Sequence, residues 1–140
     1  MPVAVGTGVL LGSVLLYAMA TDLMVRLMAR LKRSEHHPLG FWTGVAVMML
    51  VTLVTATAHV GVITLWAAAL LMSGEVSTFD KAFYFSAENY TSLGYGDIVL
   101  SDRWRLLGPL EAINGLLLFG LSTAAMFAAL SRLVSRHLHS

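Results

Sequence analysis

The sequence predicts an all-α membrane protein with three transmembrane helices and, between the second and third, a short re-entrant helix that leads into a glycine-containing loop. Three observations predict it. Hydrophobic residues make up 57% of the 140 and charged residues only 12%, and the mean hydropathy is +0.76, far from the composition of a soluble domain. The apolar residues are gathered into three long stretches, and the charged residues fall in the segments around them, each segment with a consistent sign.

The first stretch runs from about Val3 to Thr21 without a charge, the second from Leu39 to Met72 with His59 as its one ionisable residue, and the third from Leu106 to Ser131, interrupted only by Glu111. Each exceeds or approaches the ~20 apolar residues that a helix needs to cross a hydrocarbon core. The second is long enough to tilt or to emerge from the bilayer before the turn at Ser73-Gly74. Ala18-Met19-Ala20 resembles a signal-peptide cleavage site, but no basic region precedes the apolar run, so a retained helix is the better reading.

Basic residues set the orientation. Arg26, Arg30, Lys32 and Arg33 follow the first stretch, and Arg132 and Arg136 follow the third, which places both segments in the cytoplasm and the N-terminus outside. Asp22 is spaced to pair with Arg26. Arg26, Arg30 and Arg33 share a helical face, as in a voltage sensor, yet they lie beyond the apolar span, and anchoring on the inner side explains them better. The remaining segment, from Ser73 to Arg105, holds Glu75, Asp80, Glu88, Asp97 and Asp102 against Lys81, Arg103 and Arg105, as expected of a mildly acidic external loop.

That loop is too long and too patterned to be a connector. Ser77-Thr78-Phe79-Asp80 offers helix-capping side chains, and Lys81 to Tyr90 follows without Gly or Pro, predicting a short re-entrant helix. Thr91-Ser92-Leu93-Gly94-Tyr95-Gly96-Asp97 comes next and fits neither helix nor strand. A dehydrated cation needs its water oxygens replaced, and a run of backbone carbonyls facing one axis does this in successive layers. Glycines at alternate positions open φ values that turn consecutive carbonyls to one side. Gly94 and Gly96 suit that role, Tyr95 would point outward as a spacer, and the hydroxyl of Ser92 would add an oxygen layer.

Ser92 to Gly96 resembles the selectivity filter of potassium channels, commonly TVGYG, with serine for threonine and leucine for valine. The resemblance covers about residues 78 to 131 and is nearest to the small bacterial channels with two transmembrane helices and a pore loop; the N-terminal helix here is additional. It implies a potassium-selective channel subunit, with 1–37 as N-terminal helix and basic connector and 38–140 as pore domain, four copies forming a homotetramer around one pore in a bacterial cytoplasmic membrane. Potassium would be held by Thr91, Ser92, Leu93, Gly94, Tyr95 and Gly96, above all at Ser92 to Tyr95. Tyr84-Phe85-Ser86 matches the aromatic cuff of the pore helix. Glu88 matches a glutamate that pairs with the aspartate after the filter, Asp97 here; so placed, Glu88 is the protonated partner, since two adjacent carboxylates resist joint ionisation. Two solvated carboxylates are the alternative.

In the third stretch, Gly115 matches the family's proposed hinge, although close helix packing explains a membrane glycine equally well. Leu116, Phe119, Thr123, Phe127 and Leu130 make a candidate pore-facing stripe at helical spacing. Phe127 and Leu130, at its apolar inner end, are candidates for a gate that closes by dewetting. Trp104 suits an interfacial anchor. Glu111 is expected to brace the pore helix or filter rather than line the pore, and His59 either senses pH or makes an interhelical hydrogen bond.

Other classes fare worse. The net charge of +1 and the absence of cysteine argue against a nucleic-acid binder, a disulfide framework or a thiolate site. No GxxxxGK, HExxH or GxSxG motif occurs, and His36, His37, His137 and His139 lack companion ligands. The length is expected to leave no room for a soluble catalytic or ligand-binding module, so neither a small-molecule substrate nor a cofactor beyond the permeant potassium ions is expected. Membrane lipids are the remaining partner. The rival readings are a weakly selective cation channel, given Ser92 and Leu93, and a non-conducting membrane interaction subunit.

Overall fold

The structure, a computed structural model, describes residues 2–33 and 41–137. His36, His37 and His139 lie outside the described residues, as do the side chains of Lys32, Arg33, Arg132, Arg136 and His137. Four helices account for the fold among the described residues: α1 (Pro2–Arg33), α2 (Phe41–Ser73), α3 (Phe79–Tyr90) and α4 (Leu107–His137). Three stretches within them, Pro2–Arg30, Trp42–Ser73 and Leu107–Ser131, are long and apolar enough to cross a membrane. The all-α architecture with three spans is therefore as the composition indicates.

α1 continues beyond the charge-free stretch because its first charges satisfy each other on the helix surface: Arg26 Nε lies 2.7 Å from Asp22 Oδ2 one turn back. The 33 residues of α2 make a rod about 50 Å long at 1.5 Å per residue, well over the thickness of a hydrocarbon core. Gly74, at φ +77°, closes α2 in the left-handed conformation that follows many helices.

α1 and α4 run parallel. Gly6 faces Leu110, Tyr17 bonds Ser122 and Met24 packs with Ala129, a near-constant offset along the two chains. α2 runs opposite to α1, with Gly12 against Leu65 and Gly61 against Leu16. The start of α1 thus lies at the same end as the 91–97 loop. α3 enters at that end and packs on α2 and α4 but not on α1.

The main core fills the space between the helices, with Trp66, Leu70, Phe85, Tyr90, Leu107 and Leu118 among its buried members, and a smaller cluster of Met24, Val51 and Ala129 closes the other end. Two glycines of α4, two turns apart, make room for α3. A Cβ on Gly108 would sit 3.0 Å from Asn89 Oδ1, and one on Gly115 would collide with the carbonyl oxygen of Tyr90.

Candidate functional site

The residues of the 91–97 loop take their geometry from the end of α3. Thr91 is the C-cap, and its N–H still bonds to Ala87 O. Ser92 follows in the left-handed region at φ +58°. Its N–H donates to Asn89 O at 2.9 Å and that of Leu93 to Glu88 O at 2.8 Å, the two reversed bonds of a Schellman ending. A serine at this position bears the cost that glycine usually avoids, of order 1–2 kcal/mol. The N-terminal end of α3 is less elaborate: Thr78 occupies the N-cap with extended backbone and its carbonyl accepts the first helical bond, from Ala82 N–H at 3.0 Å, but its hydroxyl makes no capping bond.

Beyond Ser92 the hand of the backbone alternates. Gly94 and Gly96 lie at φ +55° and +77°, whereas Leu93 and Tyr95 do not have positive φ. Alternation of this kind turns successive carbonyls toward one side rather than to opposite sides as in a strand. Residues 91–97 are all exposed in the single chain, Tyr95 at 70%, so the carbonyls of this segment are not consumed by internal structure.

One carboxylate supports the segment from behind. Glu88 is buried at 5% exposure, and its Oε1 accepts the N–H of Tyr95 at 3.1 Å. Asp97 Oδ1 accepts the N–H of Ile98 at 3.1 Å. Tyr84 stands near both carboxylates: desolvation, then the neighbouring Asp97 and Glu88, push its phenol up to about 12, so its hydroxyl stays neutral beside them. The aromatic cuff residue was legible in the sequence; its nearness to Asp97 and Glu88 was not, because tyrosine spacing alone does not reveal which side chains its hydroxyl approaches.

The remaining loop is braced at a distance. Glu75, just after α2, accepts from Ser101 N–H at 2.7 Å and Ser101 Oγ at 2.8 Å, joining the two ends of the external segment. Sequence reasoning counted Glu75 only as part of an acidic loop. Arg103 lies over the Trp104 ring at 5.7 Å and Arg105 reaches Asp102 at 3.3 Å.

On α4 the chain separates two faces. Glu111, Asn114, Gly115, Leu118, Ser122 and Ala129 are buried against the rest of the molecule. Leu116, Phe119, Thr123, Phe127 and Leu130, the candidate stripe, are all exposed, Phe127 at 70%. Phe119 has a second attachment, its ring lying 4.7 Å from that of His59 and 5.3 Å from that of Tyr90, so it is held by the interior as well as presented outward. Glu111 is fully enclosed, with Ser86 of α3 beside its carboxyl. The two fall short of hydrogen-bond geometry, and the side-chain polar atoms of Asn114 likewise have no partner among the described residues.

No solved structure matches the chain. A family model described as "Ion channel" matches residues 47–132, which takes in most of α2, all of α3, the alternating segment and α4 to Arg132. Since that match covers more than half of the 140 residues, the chain belongs to this family of ion channels, integral membrane proteins of pore-loop type and not enzymes.

Proposed function

We propose that the protein is a potassium-selective channel in which four copies surround one pore and the 91–96 carbonyls form the selectivity filter. The observation that carries this reading is the alternation of backbone hand at Ser92, Gly94 and Gly96 about Leu93 and Tyr95, in a segment left unburied by its own chain. One chain supplies one column of carbonyls. A dehydrated cation must be surrounded, and a closed cyclic assembly of four provides rings of four oxygens. The C-terminal end of α3, with its partial negative charge, abuts the base of this segment and favours a cation there.

Ser92, Leu93, Gly94 and Tyr95 supply the ion sites in this reading. Glu88, Asp97 and Tyr84 hold the filter from behind. The exposed stripe of Leu116, Thr123, Phe127 and Leu130, with Phe119 at its edge, faces the pore, and Phe127 and Leu130 narrow it at the far end. The filter opens to the outside, with α1 starting on that side and α4 ending in the cytoplasm, in keeping with the basic residues after α1 and α4.

The reversal potential of the purified protein in planar bilayers, with potassium on one side and sodium on the other, tests the proposal. A reversal near the potassium equilibrium potential, lost in Gly94→Ala, is expected: alanine at φ +55° bears the left-handed penalty of about 1–2 kcal/mol in each of four subunits. Reversal near zero with current still dependent on Gly94 would replace potassium selectivity by weak cation selectivity. Absence of current from the purified protein would point instead to a non-conducting subunit.

A further inference from the structure

All four helices meet at one imidazole. His59 of α2 places Nδ1 2.7 Å from the hydroxyl of Tyr90 in α3 and Nε2 2.6 Å from Ser122 Oγ in α4. The Tyr17 hydroxyl of α1 lies 2.6 Å from the same Oγ. Ser122 also donates to the carbonyl of Leu118 at 2.9 Å. The rings of Tyr17, Tyr90 and Phe119 surround the imidazole with centroids 5.5, 5.8 and 4.7 Å away.

The donors and acceptors fix one arrangement of protons. A hydroxyl has one hydrogen to give and two positions at which to accept. With its hydrogen on Leu118 O, Ser122 Oγ accepts from both Tyr17 O–H and His59 Nε2–H. A neutral imidazole that carries its proton on Nε2 leaves Nδ1 as an acceptor, and Tyr90 O–H fills it. Each hydrogen is used once and both ring nitrogens are satisfied. A second proton on His59 would make Nδ1 a donor, and Tyr90, which is fully buried, has no other hydroxyl acceptor among the described residues. The titratable groups around the imidazole are Tyr17 from α1 and Tyr90 from α3, with Glu111 of α4 near Tyr90.

Tyr90 is also the last residue of α3, immediately before the filter segment, and its main-chain carbonyl bears on Gly115 of α4. Its side chain and main chain are thus gripped by different helices. We propose that His59 is a positioning residue that couples α4 to the filter: the neutral imidazole locks Ser122 and Tyr90 in one register, with α1 joined through Tyr17, and protonation releases it. This rests on the reading of residues 91–96 as a filter.

The test records the lifetime of the conducting state before the filter inactivates, in bilayers containing the full-length protein. His59→Leu and Tyr90→Phe should each shorten it about fivefold, the equivalent of one hydrogen bond's net contribution. The double variant should be no worse than either single one. His59→Gln, whose amide can accept from Tyr90 and donate to Ser122, should stay near the native lifetime. Lowering the pH to about 5, below the ordinary histidine range, should shorten the native lifetime as His59→Leu does and leave His59→Gln unchanged. Multiplying effects of the two single variants, a glutamine variant as impaired as leucine, or an unchanged His59→Leu lifetime would overturn the coupling. If the native protein carries no current, the filter reading fails and the His59–Tyr90 link is decided separately by thermal unfolding. A non-additive double-mutant cycle would then uphold the link and an additive one would refute it.

Discussion

Replacing Gly115 by alanine separates two roles for a glycine in the middle of α4. A Cβ at this position would lie 2.9 Å from the carbonyl carbon of Tyr90 and 3.2 Å from its Cα, and closer still to the carbonyl oxygen. These are backbone atoms at the end of α3, so no side-chain rotation relieves the contact. Overpacking of this kind costs about 1–3 kcal/mol, offset by up to about 1 kcal/mol from the better helix propensity of alanine. Because backbone atoms cannot give way, the upper end of that cost applies, and a net loss of about 2 kcal/mol is expected as a lower unfolding temperature of the purified protein, accompanied by impaired ion selectivity if residues 91–96, which Tyr90 immediately precedes, are the proposed filter. Gly120→Ala is the internal comparison: apart from its chain neighbours and its own helix backbone, no atom of the described residues lies within 4 Å of its added Cβ, so it should be neutral or slightly stabilising. A hinge makes the opposite prediction for Gly115, a stiffer and no less stable helix that opens more slowly. If Gly115→Ala unfolds at or above the native temperature, the packing argument is wrong.

Glu88→Ala should alter the rate of filter inactivation by removing the acceptor of the Tyr95 N–H, whereas Glu88→Gln, which keeps a carbonyl oxygen there, should remain closer to native; equal effects in macroscopic current decay would deny the hydrogen bond a role. Tyr84, pushed up to about 12, favours its neutral form in the folded protein, so its contribution is complete below the ordinary phenol value near 10 and disappears as the pH rises through about 12. Tyr84→Phe should remove the part of any loss of current seen in that interval, and an identical alkaline profile in the variant would exclude the hydroxyl. Glu111→Ala opens a cavity at a fully buried site but also removes a carboxyl without a hydrogen-bond partner among the described residues, which offsets about 1–3 kcal/mol of that cost, so Glu111→Leu, which keeps most of the volume, should be more stable than Glu111→Ala in chemical unfolding.

The spans were legible because bilayer crossing imposes a length and a composition that any reader of the sequence can count, and the short helix because Lys81 to Tyr90 is an uninterrupted run between breakers. The alternating segment was legible through Gly94 and Gly96, whose spacing exposes the alternation seen in φ. Ser92 was not, since a serine in the left-handed region is dictated by the Schellman bonds to Asn89 and Glu88 and carries no mark of its own. Glu75 and Ser101 lie far apart in the chain, and nothing local announces their pairing. His59 was visible as an oddity in an apolar helix. Its partners come from other helices, so the sequence could offer only the choice between a pH sensor and an interhelical bond; the structure shows the interhelical bonds.

The additional N-terminal helix acquires a physical role from the same geometry. Helices in a bilayer gain little from burying apolar side chains, because lipid is equally apolar, and associate through close packing and interhelical hydrogen bonds. α1 has both toward its neighbours: Gly6 admits Leu110, with an added Cβ reaching 2.6 Å from its Cδ1, and Tyr17 bonds Ser122. Both contacts fall on α4, at nearly the same offset, which ties α1 to the helix that would line the pore rather than only to the outer helix α2. A helix so attached must either move with α4 or break the Tyr17–Ser122 bond when α4 moves. Because Ser122 is also the acceptor for His59, the second course disturbs the link to Tyr90 as well. If residues 91–96 form the proposed filter, α1 belongs to the mechanical unit that holds it, and the Tyr17–Ser122 bond raises the cost of any α4 displacement that the two-helix core alone would permit.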